Sequence, residues 1–551
     1  MRQRELHNSK ETGAILAEVQ QAEELNFTDS AGCKAWVRGL PLTNFAQAQA
    51  EIIDQVARLN QAKVAPAERF RMLELLREPA NFVQTELAKK FNHKPLPLAE
   101  VERKSFKAVI DLWQLLADGY TQCVNACVEA NSADKENLEA QELVKLAGAI
   151  CHRALLCTAT SMADHLRANH HFDDTCWTKL HGLYRQAEQL GVADTPVVDP
   201  VSRSERTCKG AYVAPILLVL ANPHEMFQRH IVMVARWLDR WAEKVTITNT
   251  APGETDKPFL LVDLAAASGA YRNAEPGAEP RWINIDGLSH TMKKRVHYLR
   301  KGMSPTELFL GEECVQPACE ALLVLLYQHW CDGREARAHP RRSVATKADA
   351  CSGIQAIHYY ISGATFKQPE QPRSSGTNFH DDISTFQRAP KRDDEAQNLI
   401  QGFVLEQWSV ENETVAGLRL VRSASSAGLR LSPLQLIAVR PEDSKGFTLA
   451  VVRWVVMIGE DLTIGVRLLP GTPETVGARS TGINARNEKF QQAFLLPAVP
   501  TLQSPASAIL APALYKRDKV LEVHTSQLSK IKLVESLERG YDFERVSFEL
   551  T

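Results

Sequence analysis

Arg388 and Arg392 stand four residues apart in the basic stretch QRAPKR, and Asn412, Thr414 and Gly417 follow about twenty residues later in NETVAG. A guanidinium is a planar fork that can donate two parallel hydrogen bonds to phosphate, or to O6 and N7 of guanine, and it also stacks on a purine face. Pro390 between the two arginines favours an extended or turning arm over a helix interior. The Asn412 amide both donates and accepts, which suits a purine edge, and the Thr414 hydroxyl adds a second group of that kind. Gly417 lets the backbone turn or approach a ligand closely without a Cβ. Each half of the pattern is common alone. Together they read as a site for phosphate and a purine edge.

Other candidates carry less. Arg337 and Arg341 in RAHPRRS repeat the four-residue spacing, but only DACSG follows them. A solvated basic patch is expected there, with a relic of an older barrel or a second phosphate contact as the alternatives. The run DHLRANHHFDD brings His165, His170, His171, Asp173 and Asp174 together, yet it has neither His at i, i+4 nor an adjacent His-Asp pair, so a polar helix end is expected. Cys123 and Cys127, one helical turn apart among apolar residues, read as core thiols. Trp454 in VVRWVV reads as a barrel packing residue. There is no GxSxG, no Walker A and no glycine-rich phosphate fingerprint. No catalytic residue, metal site or cofactor is expected.

These residues must be positioned by elements that the sequence sketches. Residues 1–195 read as a helical domain, with apolar residues at three-to-four spacing in AQAQAEIIDQVARLN and PAERFRMLELLREPANFVQTELAKKF. Residues 196–364 read as mixed but mostly helical, with short strands in VTITNT, FLLVDLA and RWINID. The polar, proline- and serine-rich stretch 365–383 reads as a linker. Beyond it, GFVLEQWSVE, AGLRLVRS, LQLIAVR, FTLAVVRWVVMI and LTIGVRLL are strand-like runs parted by turn formers, which favours a small barrel over 384–495. Residues 496–551 read as a further small β unit.

The chain has 551 residues, 44% hydrophobic and 24% charged, with a formal net charge of −2, so no global positive field exists to hold nucleic acid or an anionic membrane. No leader or membrane-spanning run is expected; the apolar stretch YVAPILLVLA is too short and contains a proline. Eleven irregularly placed cysteines suggest reduced thiols and a cytoplasmic protein.

At the motif pair and the strands behind it, about residues 384–480, the chain resembles the PilZ family of cyclic di-GMP receptors. That family's signature is RxxxR followed by D/N-x-S-x-x-G at the start of a small β-barrel. Together with the elements read above, the fold class is an α+β multi-domain protein: a mostly helical N-terminal two-thirds that departs from the family's known builds, then the PilZ-like barrel that the resemblance implies and the further β unit. It implies that Arg388 and Arg392 hold guanine and phosphate of cyclic di-GMP, that Asn412 and Thr414 contact a guanine edge, and that Gly417 shapes the turn. Thr414 stands where the family has serine, keeping the hydroxyl and adding a methyl. The implied function is a bacterial second-messenger receptor, not an enzyme, that passes its state to a protein partner through the helical region. The alternative is a ligand-independent adaptor with a degenerate barrel.

Overall fold

The computed structural model describes residues 25–92, 94–132, 137–201, 203–253, 259–272, 275–332, 342–369, 403–481, 488–525 and 527–551. Six helices come first: α1 (Ser30–Arg38), α2 (Phe45–Gln61), α3 (Pro66–Ala88), α4 (Glu100–Asn131), α5 (Leu138–Arg167) and α6 (Thr175–Gln189). Their starts follow local chemistry. Asp29 accepts the Gly32 N–H at 2.7 Å to cap α1, Pro66 occupies the first turn of α3, and Asn137 accepts the N–H groups of Glu139 and Ala140 at the head of α5. By length and composition α5 could cross a membrane. It is instead packed inside this region against α4, α6 and the following helix, with Ile150, Cys151, Leu155 and Met162 buried.

A hairpin of β1 (Val197–Asp199) and β2 (Ser204–Arg206) leads to α7 (Cys208–Leu220) and α8 (Gln228–Trp241). The expected strands then form a three-stranded antiparallel sheet, β3 (Thr246–Thr248), β4 (Phe259–Asp263) and β5 (Pro280–Asn284), with β5 central. Helices α9 (Asp286–Arg300) and α10 (Ala318–Tyr327) follow. One continuous apolar core runs from Phe27 to Cys331, so the two helical blocks expected from the sequence share a single interior.

Two closed six-stranded barrels complete the chain, and all their pairings are antiparallel. The first contains β6 (Arg342–Ser352), β7 (Glu406–Thr414), β8 (Gly417–Ser423), β9 (Leu436–Pro441), β10 (Thr448–Ile458) and β11 (Asp461–Leu468), in the order β10-β11-β8-β7-β6-β9. Helix α11 (Ile354–Ser362) lies between β6 and β7 in sequence. The second barrel contains β12 (Glu474–Ser480), β13 (Gln491–Leu496), β14 (Ser507–Leu510), β15 (Val520–His524), β16 (Leu528–Arg539) and β17 (Glu544–Leu550).

The helical N-terminal region and the β-rich C-terminal part match the sequence reading, whereas the strand pairing redraws the boundaries. β6 belongs to the first barrel although the sequence placed it in the mixed block. The stretch read as a linker, 365–383, therefore lies within the barrel's own β6–β7 connection. Its first residues are packed down: Gln368 donates to Phe490 O and accepts from Phe490 N, both at 2.8 Å. The further β unit begins at Glu474 rather than 496. Trp454 faces Gly465 across β10 and β11, where a Cβ would stand 2.1 Å from its indole nitrogen, so the glycine makes room for the ring. Cys123 and Cys127 are buried core thiols as expected, but Cys314 and Cys319 form a disulfide, which departs from a fully reduced set.

Contacts tie the units together. Leu96, from the loop between α3 and α4, exchanges backbone hydrogen bonds with Leu431 at 2.8 and 2.7 Å and is buried in the core of the first barrel. Met457 on β10 bonds Asn169 and His171 through its backbone, so the histidine run serves as a second tether. Between the barrels, Leu436, Leu449 and Val451 pack with Phe494, Ile509 and Phe543, and Ile357 of α11 joins them.

Candidate ligand site

β7 first alternates cleanly: Glu406, Trp408 and Val410 are buried while Gln407 and Ser409 are exposed. The pairing then slips by one residue between Val410 and Asn412 against β8, and between Ser343 and Thr346 against β6. Bulges bend a strand and re-aim its side chains, and they gather beside functional sites. Strict alternation would bury Asn412 in the barrel. The slips leave it half-buried in a shallow cavity of about 440 Å³, lined also by Ser343, Val344 and Glu411.

Asn412 sits opposite Ser343 on one side and Arg419 on the other, and Glu413 sits opposite Arg342. Arg342 donates to Glu413 through Nε at 3.0 Å and through Nη2, while Arg419 pairs with Glu411 at 3.0 Å. Solvent-facing pairs of this kind contribute little, so an incoming anion can draw either guanidinium from its carboxylate at small cost.

Thr414 and Gly417 flank the two-residue turn of the β7–β8 hairpin. The Thr414 hydroxyl accepts the Ala416 N–H and donates to Gly417 O, both at 3.3 Å, so it is engaged in holding the turn. Gly417 is required by close approach: a Cβ there would lie 2.4 Å from the Val466 carbonyl oxygen on β11. The structure thus brings Asn412, Thr414 and Gly417 onto one hairpin. Arg388 and Arg392 lie outside the described residues, as do Arg337 and Arg341.

Chain connectivity still separates the two arginine pairs. The chain from Arg392 enters β7 at Glu406, the end away from Asn412 by about 20 Å of strand. Arg341 is one peptide bond from Arg342, in the part of β6 that pairs with Asn412 and Glu413. The sequence reading missed Ser343, Arg342, Glu411 and Arg419. Their signal, RxxxR running directly into a strand, was present but the intervening length hid it.

At the far end of β7, Glu406 and Arg422 form a buried ion pair at 2.9 Å, with the guanidinium over the Trp408 ring at 5.0 Å. Burial pushes the Glu406 carboxyl up, against the pull of the Leu429 N–H and Arg422. Glu406 accepts the Leu429 N–H at 2.6 Å and Arg422 donates to Leu429 O at 2.9 Å. The next residue, Arg430, reaches the helical region, bonding Pro95 O and Glu102. The strand bearing Asn412 is thereby connected to the helices through one short loop.

Comparison with known proteins assigns the remaining regions. Residues 31–252 match the family described as "Cyclic-di-GMP receptor FimW, N-terminal domain", and residues 476–551 match the "FimW C-terminal beta-barrel domain". The chain thus matches both FimW domains. The N-terminal FimW domain runs from α1 to β3, the C-terminal FimW domain is the second barrel, and the barrel bearing Asn412 lies between them. The chain is also similar to the curated "Cyclic-di-GMP receptor FimW" of Pseudomonas aeruginosa, at 24% identity over 538 residues, covering 88% of this chain and 85% of that protein.

Proposed function

We propose that this chain is a receptor for cyclic di-GMP rather than an enzyme, with the ligand held in the groove at Asn412. The observation that carries this reading is the doubly bulged hairpin that turns Asn412 out of the barrel beside two weakly paired arginines, in a chain whose FimW relative bears the name of such a receptor. Asn412 reads a guanine edge, while Thr414 and Gly417 hold the hairpin that presents it. An arginine arm supplies the phosphate and stacking contacts. Strand register favours Arg337 and Arg341 as that arm. Arg388 and Arg392 are the second reading, because the residues from Asp393 to Leu405 are enough chain to return along β7.

Ligand capture that pulls on β7 is felt at Glu406, at the Arg422 loop, and through Arg430 at Glu102 and Leu96. This gives the helical region a route by which to change its hold on a protein partner. A second messenger made inside the cell and nine unpaired cysteines fit a cytoplasmic setting. The receptor needs no cofactor beyond its ligand.

The test is isothermal titration of cyclic di-GMP, beside GTP, into the full chain and into Asn412→Ala, Arg337→Ala/Arg341→Ala and Arg388→Ala/Arg392→Ala. Micromolar binding corresponds to about −8 kcal/mol. Asn412→Ala is expected to lose at least tenfold, and the double mutant of the true arm about 100-fold, while the other arm changes little. A wild-type chain that gives neither heat nor a thermal shift at ligand excess overturns the receptor reading; about 2.7 kcal/mol of stabilisation is expected at 100 times the dissociation constant.

A further inference from the structure

The helical region contains a second concavity, remote from Asn412. A cavity of about 370 Å³ follows one face of α5 and is bounded on its other sides by α7, α8 and residues of α3 and α4. Part of its wall is made of short side chains: Ala159 on α5, Ala211 and Ala214 on α7, and Val232 and Ala235 on α8 are only half-buried, although the residues beside them are mostly buried. Alanines facing one another across three helices leave volume that the chain itself does not fill, and interiors are otherwise close-packed.

The polar groups in the wall specify what could fill it. Arg153 donates to His152 Nδ1 at 2.7 Å, and arginine has nothing to accept with, so the imidazole is neutral and carries its proton on Nε2. His152 is 2% exposed and lines the cavity, and no acceptor among the described residues meets that Nε2–H. Burial, then Arg153, pushes its pKa down to about 4, which keeps the ring neutral. Fifteen residues along α5, about 22 Å of helix rise, Arg167 gives Nη1 to Asp164 and leaves Nε buried without an acceptor. The charges are otherwise matched: Arg77 with Asp199 and Glu74, Arg206 with Asp239, Arg236 with Glu313. A net anion entering beside Arg77 would have to compete with the buried Asp199 carboxylate, which is costly. A neutral acceptor at either end meets an unpaired N–H without that cost.

The geometry points to a second ligand site in the helical region, between α5, α7 and α8, for an uncharged, largely apolar small molecule that carries carbonyl acceptors. The cavity lies within the size range of small-molecule sites, and its wall combines short apolar side chains with polar groups spread along α5.

The probe is 6-propionyl-2-(dimethylamino)naphthalene, a neutral aryl ketone whose emission reports polarity, titrated into the full chain. Saturable binding at one site per chain with blue-shifted emission is expected. It should weaken at least tenfold in Ala214→Leu and in Ala159→Leu, which fill the cavity from opposite walls, and be unchanged in Asn412→Ala. The anionic 1-anilinonaphthalene-8-sulfonate should bind at least tenfold more weakly. If one filling variant fails to fold, the other, checked by its unfolding transition, carries the test. Absence of saturable probe binding, or binding that survives a folded filling variant, overturns the site. Stronger binding of the sulfonate overturns the ligand class.

Discussion

Gly417, read as a ligand-loop glycine, also meets a packing constraint. The signature suggested a turn, but the structure places the constraint at β11, where the Val466 carbonyl leaves no room for a methyl group. Gly417→Ala should therefore destabilise the first barrel by about 1–3 kcal/mol, the range for overpacking, read as a lower denaturant midpoint at unchanged slope. A turn requirement alone would cost less, because Gly417 does not need a left-handed backbone. Asn412 and Thr414 were legible because their side-chain chemistry and spacing are explicit in the letters. The slips at Glu411 and Val344 were not, since a bulge is a property of paired strands and neither strand declares it alone.

At the level of elements, the loop that carries Leu96 is as much part of the first barrel as of the helices. Leu96 is 1% exposed among Trp408, Leu418, Leu431 and Val452, and its backbone pairs with Leu431. Leu96→Ala should cost about 2–5 kcal/mol, as buried leucine truncations do. The loss should appear as earlier protease cleavage near Leu431 and weakened attachment of the barrel, with the helical core intact. Long helices and most strands could be read from periodicity: α4 and α5 keep their apolar stripe for many turns, and β9 to β11 are runs rich in valine, leucine and isoleucine. β6 could not. Its sequence RSVATKADACS is polar and alanine-rich, its outer residues face solvent, and its partner β7 is far along the chain.

Across the whole molecule, acidity should act through imidazoles held inside the fold. His152, His170 and His224 are each pushed down to about 4, burial being the main cause; Arg153 adds to it at His152, His165 at His170, and His171 and His170 at His224. Between the ordinary value of 6.5 and about 4, the unfolded chain takes up protons that the folded chain refuses. Their contribution to stability is therefore full above pH 6.5 and is lost as the pH falls towards 4. A tenfold difference in proton affinity between the two states is worth about 1.4 kcal/mol, so the melting temperature should drop steeply over that window. Asp542 opposes this: burial, against the Leu436 N–H it accepts at 2.8 Å, pushes its carboxyl up to about 6. The folded chain holds that proton more tightly than the unfolded chain, so this group stabilises at low pH and the benefit is lost as pH rises through about 6. Melting curves from about pH 8 to 4.5, the span of these titrations, should show the histidine trend. In Asp542→Asn the opposing gain on acidification is gone, so its melting temperature should fall more steeply with acid than that of the wild type. A flat wild-type profile would remove the histidines as a cause of acid loss, and equal slopes in the two proteins would remove Asp542.

The position of β6 also bears on how the protein is made. A ribosome adds about 5–20 residues each second, so β6 leaves it on the order of seconds before β7 and β9, the two strands that will flank it. During that interval it is an unpaired edge, the kind of segment on which nascent chains stick to one another. Arg342, Lys347 and Asp349, with the small alanines between, make it a poor template for such pairing. The composition that conceals β6 from a reader of the sequence is also what keeps it harmless until its neighbours are synthesised.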